Sequence, residues 1–334
     1  MSEKLIKRQN YPLAIILGCK GTKLLKEERD LFANANPLGF ILFKRNCKNL
    51  KQIKKLIVDL RLAVKRQDVA ILIDQEGGRV NRLPLSCSKK ALAQGNIGKI
   101  YARNPDRAKK IAYNRATAIA RDLLKAGINT NCSPVLDLNF SSTSKIIGDR
   151  SFGSSVNCIV DLGKETCRGF LDSGIIPIIK HIPGHGRASG DSHIKLPKVS
   201  TDISLLKKSD FLPFKKLNFV PLAMTAHILF SKIDSLEPAT CSKKIIKRII
   251  RDYINFQGLL ITDDISMGAL RGSLQKRVKD SFNSGCDVVL HCNGILREME
   301  IVASTANILK GKKYNNFRHL YNKTNKRDLK KFIF

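Results

Sequence analysis

The chain has 334 residues, of which 43% are hydrophobic, a composition that can bury a large core. Its longest apolar runs are strand-sized, far short of the roughly 20 residues of a membrane-spanning helix, and no apolar segment follows the charged start, so we expect a soluble cytoplasmic protein. The net charge of +32 would suit nucleic acid or an acidic substrate, but the basic residues are spread over nearly every predicted helix and tryptophan is absent, so nucleic-acid binding is only the non-enzyme alternative.

The cysteines indicate a reducing environment. They number nine, an odd count, and are scattered without a Cys-x-x-Cys pair. Several, such as Cys132 and Cys286, lie inside apolar runs, where cysteine behaves as a small core residue. We therefore expect free thiols rather than disulfides.

Eight short apolar runs recur along the chain, and each precedes a longer stretch with helical periodicity. That order is typical of repeated βα units and a parallel sheet, and eight units predict a closed (β/α)8 TIM barrel of the α/β class. The runs span residues 13–18, 39–43, 69–74, 128–138, 175–181, 220–227, 258–264 and 286–292.

Local signals between the runs agree with this pattern. Asn104-Pro105 predicts a helix N-cap and first turn, and Gly127 predicts its end. Gly174 and Gly285 should close two further helices, each just before a strand. Without a linker or repeat, we predict one catalytic domain over residues 1–310, followed by a basic tail over residues 311–334.

Polar side chains stand where the runs end. Parallel barrels place their active sites at the carboxyl ends of the strands, so convergence at one mouth is expected even though barrel rims are polar in general. The residues concerned are Asp74, Asp137, Lys180, His181, His227, Asp263, Asp264 and His291.

The fifth run leads into a candidate binding loop between Lys180 and His193, which holds three histidines, an aspartate and four glycines or prolines in fourteen residues. A polar surface loop is the plain alternative. Metal ligation by its histidines and Asp191 is another, but barrel metallohydrolases commonly begin with a His-x-His pair at the end of strand one, where this chain has Gly18-Cys19-Lys20.

Four segments together resemble the β-N-acetylglucosaminidases of glycoside hydrolase family 3, specifically the single-domain type of peptidoglycan recycling. The likeness runs from about Tyr11 to about residue 305, in the family's order. The segments are Asp74-Gln-Glu-Gly-Gly-Arg-Val-Asn-Arg82, Gly148-Asp-Arg-Ser-Phe-Gly153, Lys180-His-Ile-Pro-Gly-His-Gly186 with Asp191-Ser-His193, and Thr262-Asp-Asp-Ile-Ser-Met267.

The resemblance implies a retaining glycosidase in which Asp263 is the nucleophile, although residue type alone does not choose between Asp263 and Asp264. It implies His193 as the acid/base, oriented by Asp191, and an imidazole pKa near 6.5 suits that double role. A helix cap formed by Asp191 with an uninvolved histidine is the alternative.

Sugar contacts implied by the resemblance fall to Asp74, Arg82, Arg150, Lys180 and His181. We expect Glu76 to serve backbone geometry and His185 the turn. The family usually has an aspartate and a small hydroxyl residue where this chain has Arg187 and Ala188, so loop closure or aglycone preference should differ.

The sequence thus predicts a monomeric, single-domain barrel that removes terminal β-1,4-linked N-acetylglucosamine from cytosolic cell-wall fragments. We expect no cofactor and no metal, and a small carbohydrate as the partner. A β-glucosidase-like member of the same family and a barrel metallohydrolase are the enzyme alternatives.

Overall fold

A computed structural model describes residues 11–84, 91–141, 143, 145–188 and 196–325 of the chain. Eight parallel strands close into a barrel, which confirms the predicted fold class. Each strand lies between its neighbours in chain order, and the first pairs with the last, with Leu17 opposite His291. The strands are β1 (Leu13–Gly18), β2 (Pro37–Leu42), β3 (Ala70–Ile73), β4 (Thr130–Asn131), β5 (Ile176–Ile182), β6 (Leu222–Thr225), β7 (Leu259–Asp264) and β8 (Val288–His291).

Helices surround the barrel, and two short strands, Lys198–Val199 and Leu229–Phe230, pair beside it. Within the described ranges, no helix has the length and apolar character that crossing a membrane requires. The helices are Lys26–Ala35, Leu50–Val64, Gln94–Tyr101, Pro105–Ala126, Val156–Asp172, Ile203–Lys208, Leu212–Lys216, the π-type Ile245–Tyr253, Leu274–Ser284, Leu296–Thr305 and Gly311–Asn325.

The predicted helix boundaries are confirmed where the sequence signals them most clearly. The Asn104 side chain accepts a hydrogen bond from the backbone N–H of Arg107, and Gly127 ends the same helix with φ of 88°. Gly174 and Gly285 follow their helices with φ of 83° and 110°. These left-handed conformations cost glycine little because it has no Cβ.

Strand β4 is much shorter than the predicted run over residues 128–138. Pro134 has no backbone N–H to donate, so the ladder is interrupted soon after Asn131. The chain then continues alongside β5, where Val135 forms a parallel bridge with Lys180 and the N–H of Leu136 donates to the carbonyl of Lys180 at 2.8 Å. The second half of the apolar run is therefore a buried segment alongside β5, and it places Asp137 against His181.

Alternation along the strands divides the core into two regions. In β1, Ala14 and Ile16 face the barrel interior, whereas Leu13, Ile15 and Leu17 belong to the cluster packed under the helices. Every second side chain of a strand points to the same face, so a strand enclosed on both faces is apolar throughout. This is why the runs read as continuous rather than alternating.

The C-terminal helix Gly311–Asn325 corrects the prediction of a basic tail over residues 311–334. Four of its side chains, Tyr314, Phe317, Leu320 and Tyr321, are buried in the same cluster as the barrel interior. The Tyr321 hydroxyl lies 2.7 Å from the Thr130 hydroxyl, on β4. The first part of the predicted tail is therefore a packed element at the barrel floor, and residues 326–334 lie outside the described residues.

The cysteines behave as predicted wherever the structure describes them. Eight are described, and all eight are buried and free. Burial raises the pKa of the Cys167 thiol, as it does for other buried cysteines such as Cys132. These thiols are core residues that stay protonated near neutral pH.

Candidate active site

A cavity of about 190 Å³ opens at the carboxyl ends of the strands. Its walls carry every described residue to which the sequence analysis assigned a catalytic or sugar-binding role, and these come from four strands, β3, β4, β5 and β7, or the loops that follow them. The residues brought together are Asp74, Arg82, Arg150, Lys180, His181 and Asp263. Asp191 and His193 lie outside the described residues, so their roles stay predictions.

A buried ionic cluster forms one wall of the cavity. Lys180 Nζ lies 2.8 Å from Asp74 Oδ1 and 2.7 Å from Glu76 Oε1. The Arg150 guanidinium donates two hydrogen bonds to the Glu76 carboxylate, from Nε to Oε2 and from Nη2 to Oε1, each 2.8 Å long. Glu76 is only 1% exposed, so it links the two cations within the protein interior. This is more than the backbone role expected for it.

Electrostatics keep this cluster charged. Burial alone would raise the pKa of the Glu76 carboxyl, but Arg150 and Lys180 outweigh burial and hold that pKa well below its ordinary value. Burial would lower the pKa of Lys180, but Asp74 and Glu76 outweigh it and raise that pKa. The wall therefore presents fixed charges, which need little rearrangement when a polar ligand enters.

Arg82 is a predicted sugar contact whose side chain keeps a hydrogen-bond donor unpaired within the described part of the chain. Its Nε is buried and has no hydrogen-bond partner among the described residues, while its guanidinium lies 5.8 Å from the centre of the Phe43 ring. A buried donor left open toward a cavity is costly unless a ligand or water completes it. Arg82 is therefore well placed to bind a polar ligand group.

Asp137 organises the other wall. Its carboxylate lies 2.7 Å from His181 Nδ1 and accepts the backbone N–H of His185 at 2.7 Å. Burial would raise the pKa of Asp137, but the adjacent His181 outweighs it and lowers that pKa. Because Nδ1 of His181 is occupied, its Nε2 is the ring atom left to meet a ligand.

His185, expected only to shape the turn, also lines the cavity. Burial lowers the pKa of its imidazole to about 4, so the ring is neutral near pH 7. Its Nδ1 is buried without a partner among the described residues. His185 therefore joins Glu76 as a site residue that the sequence interpretation underrated.

The two aspartates at the end of β7 differ in what they bind. The Asp264 carboxylate accepts the backbone N–H of Ser266 at 3.0 Å, the Ser266 hydroxyl at 2.7 Å and the backbone N–H of Cys292 at 3.2 Å. Asp263 Oδ1 accepts the Asp264 N–H at 2.8 Å. Burial would raise the pKa of Asp263, but His227 and His181 outweigh it and lower that pKa. Both aspartates line the cavity, where Asp263 is an ionised carboxylate and Asp264 holds the loop after β7 through its three hydrogen bonds.

Two other strand-end histidines have different places. His227 is buried under the two aspartates, with Nε2 3.0 Å from the carbonyl oxygen of Asp264. His291 is fully buried, and its Nε2 lies 3.0 Å from Glu298 on the outer helix. His291 is absent from the residues that line the cavity within the described ranges. Of the two, only His227 is near the predicted nucleophile.

Arg187, where the family usually has an aspartate, turns away from the ionic wall. Its Nε donates to Asp210 Oδ2 at 2.7 Å, and its guanidinium stacks 4.3 Å from the centre of the Phe140 ring. Ala188 is fully buried beside it. The substitution therefore anchors the segment that precedes residues 189–195.

A metal centre finds no ready-made ligand set in the part of the chain that the structure describes, where no group of three His, Cys, Asp or Glu side chains converges suitably. His181 and His185, two of the residues considered as ligands, instead share Asp137. Freedom from metal stays a prediction, because Asp191 and His193 are not described.

Known proteins are similar to this chain over most of its length, in sequence and in fold. A Beta-hexosaminidase of Alkalilimnicola ehrlichii is 36% identical over 283 residues, which cover 84% of this chain and 80% of that protein. The Beta-hexosaminidase of Haemophilus influenzae is 32% identical over 304 residues, which cover 88% and 84%. NagZ from Neisseria gonorrhoeae, solved with N-trifluoroacetyl-D-glucosamine, has a TM-score of 0.84 at 28% identity and covers 93% of this chain and 90% of its own.

The family model described as Glycosyl hydrolase family 3 N terminal domain matches residues 10–318, nearly the whole of the described barrel. This range includes the strand ends that carry the ionic wall and the paired aspartates. The chain belongs to glycosyl hydrolase family 3.

Proposed function

We propose that the protein is a retaining exo-β-N-acetylglucosaminidase. It removes terminal β-1,4-linked N-acetylglucosamine from peptidoglycan fragments, as a cytoplasmic monomer, without a cofactor or metal. The observation that carries the proposal is the unequal engagement of the two aspartates at the cavity. Both aspartates line the cavity, but the Asp264 carboxylate accepts three hydrogen bonds from Ser266 and Cys292, whereas the ionised Asp263 carboxylate accepts one among the described residues, from the Asp264 N–H.

Asp263 suits the nucleophile of a double displacement. Its carboxylate would attack the anomeric carbon, form a glycosyl-enzyme and release the aglycone, and water would then attack the same carbon and free Asp263. Two inversions at one carbon give net retention. An ionised carboxylate is needed for the first step, in keeping with the lowered pKa of Asp263.

The proton that the leaving oxygen needs has no good source among the described cavity carboxylates. Glu76 is held ionised by two cations, Asp74 is paired with Lys180, and Asp264 braces its loop. We assign the acid/base to His193, oriented by Asp191, on the segment that follows Ala188 in the sequence. An imidazole with a pKa near 6.5 gives and recovers a proton near neutral pH.

The ionic wall suits recognition of one polar sugar ring. Asp74 and Lys180 supply an acceptor and a donor for hydroxyl groups, while Arg82, Arg150 and His181 supply further donors. The cavity volume of about 190 Å³ is below the roughly 300–1,000 Å³ typical of drug-sized ligand sites, which favours a single terminal residue.

The preference for an acetamido sugar rests on similarity to proteins named Beta-hexosaminidase and to NagZ bound to an N-acylated glucosamine. Cell-wall fragments carry such a sugar at their non-reducing end, and the guanidinium groups at the mouth suit an acidic aglycone. We therefore propose a role in peptidoglycan recycling.

The test compares kcat/KM for matched aryl β-glycosides that differ only at carbon two. N-acetylglucosaminide should be preferred over glucoside by up to about 10⁴-fold, because a site built to bind a group loses heavily when that group is missing. Comparable values would refute the acetamido specificity and the recycling role. Release of the β-anomer, followed by proton NMR, tests retention, and an α-product would refute the double displacement.

A further inference from the structure

A closed ring of hydrogen bonds surrounds the backbone of Asp263 and Asp264. The N–H of Asp263 donates to Thr225 Oγ1 at 3.4 Å, and the Thr225 hydroxyl lies 2.7 Å from that of Thr240. Thr240 Oγ1 lies 2.7 Å from His227 Nδ1, and His227 Nε2 lies 3.0 Å from the carbonyl oxygen of Asp264. The ring thus leaves the Asp263–Asp264 unit at one end and returns to it at the other.

The proton positions in the ring follow from its fixed ends. A carbonyl oxygen only accepts, so His227 Nε2 must carry the proton that it donates to Asp264. Burial lowers the pKa of His227, so its imidazole is neutral and its Nδ1 accepts a hydrogen bond from the Thr240 hydroxyl. The carbonyl of Ala226, at 3.2 Å from Thr240 Oγ1, is the more distant competitor for that proton.

The Thr225 hydroxyl then donates to Thr240 and accepts from Asp263, so all four bonds run in one direction around the ring. Its side chains are fully enclosed, with Thr225 and Thr240 at 0% and His227 at 1% exposure. Water cannot easily replace a lost partner at such depth, which makes each bond costly to break. Thr240 comes from a short 3-10 helix, Ala239–Cys241, outside the strand ends.

We propose that His227 and Thr240 are positioning residues that fix Asp263 for attack through this ring. The proposal rests on the role of Asp263 given above, and adds two residues that touch neither the sugar nor the reacting atoms. Displacing a reacting group by about 1 Å can cost about 10²-fold in rate, so the ring should act on kcat. The sugar contacts Asp74 and Lys180 belong to the ionic cluster with Glu76 and form no bond in this ring, so KM should change little.

The kinetic experiment compares Thr240→Val, which removes the hydroxyl at nearly constant shape, with Thr240→Ser, which keeps it. Thr166→Val is the matched control, since Thr166 is equally buried in the helix Val156–Asp172 and its hydroxyl has no partner among the described residues. Wild type and variants are assayed on an aryl β-N-acetylglucosaminide, with thermal unfolding followed in parallel.

We expect Thr240→Val to lower kcat by about 10²-fold with little change in KM, while Thr240→Ser and Thr166→Val stay close to wild type. An unchanged kcat in Thr240→Val would overturn the proposal. So would equal losses in Thr240→Val and Thr240→Ser, or a loss that appears in KM alone.

A second measurement is independent of any activity, so an inactive wild type would count against the proposed function and leave the ring testable. Nitrogen-15 NMR of histidine-labelled protein reports which ring nitrogen carries the proton, and His227→Gln identifies the signal. Neutral His227 protonated at Nε2, with a shifted Nδ1 resonance in Thr240→Val, is the expected result. A proton on Nδ1 in the wild type would overturn the ring.

Discussion

Neutralising Glu76 should destabilise the protein far more than neutralising an ordinary surface carboxylate. Glu76→Gln keeps the size of the side chain but removes the negative charge that forms ion pairs with both Arg150 and Lys180. The glutamine amide has one acceptor and one donor end, so its NH₂ group must face one of the two cations. That cation then remains in the interior with its partner removed.

The size of the loss follows from burial. The side chains of Glu76, Lys180 and Arg150 are 1%, 2% and 14% exposed, so solvent compensates little. Breaking a buried ion pair by removing one partner typically costs about 3–5 kcal/mol. Lys180 keeps Asp74 at 2.8 Å, which favours the lower end of that range. Native domains have a total of only about 5–15 kcal/mol, so the effect should be plain.

The pH dependence has a definite sign. The folded-state pKa of Glu76 is held below its ordinary value of 4.5, so the folded state favours the ionised carboxylate. Its contribution to the free energy of unfolding is fully present above pH 4.5 and is lost as the pH falls toward the lowered folded-state pKa. The difference in stability between wild type and Glu76→Gln should therefore be constant near neutral pH and narrow in acid.

Urea unfolding at a series of pH values measures this difference. Glu165→Gln is the matched control, because Glu165 pairs with Arg168 on the surface at 2.8 Å, with side chains 17% and 43% exposed. Such a pair contributes at most about 1 kcal/mol. A Glu76→Gln loss no greater than that of Glu165→Gln, or one that widens in acid, would refute the reasoning.

Asp263→Ala should lose nearly all turnover and stay folded, whereas Asp264→Ala should mainly lower stability; steady-state kinetics that reverse the two turnover losses would contradict the nucleophile assignment. His193→Ala should lose about 10²–10⁴-fold on a natural disaccharide and least on an activated aryl glycoside, and equal losses would remove its acid role. Activity should survive exhaustive chelation, and a loss that zinc restores would indicate a metal site. Tyr321→Ala should cost about 3–5 kcal/mol in urea unfolding, and a loss below about 1 kcal/mol would mean that the barrel floor is not packed.

Strand ends were the most predictable part of the molecule. Parallel strands must bring their carboxyl ends to one mouth, so Asp74, Lys180 and Asp263 could be grouped without any knowledge of their distances. The limits of β4 were less predictable. The apolar character of residues 128–138 reflects burial, which a buried segment outside the strand ladder shares with a strand.

The sequence alone does not indicate which residues distant along the chain form ion pairs or hydrogen bonds with each other. Glu76 follows Asp74 closely, but its partners Arg150 and Lys180 come from the loop after β4 and from strand β5, and nothing local to Glu76 indicates that both cations converge on it. The choice between Asp263 and Asp264 depended in the same way on which neighbours occupy each carboxylate. Only the folded geometry shows that Ser266 and Cys292 engage one and leave the other open.

In the helix Gly311–Asn325, the basic composition of the sequence obscured the helical spacing of its large apolar side chains. Tyr314, Phe317 and Tyr321 recur at helical spacing, which is the pattern of an amphipathic helix. Basic residues around them made the segment resemble a tail. The buried face of a helix needs only a few large side chains, so a highly charged composition does not argue against packing.

The same helix sets an order for folding during synthesis. Ala14 and Ile16 are synthesised well before β8 and the Tyr321 side chain that complete their surroundings, which come about 300 residues later. At about 5–20 residues per second, the growing chain waits roughly 15 to 60 s with an open barrel edge and an uncovered floor. Until the helix Gly311–Asn325 is made, the nascent chain therefore exposes the apolar surface and unpaired strand edges that make partly folded chains prone to aggregation.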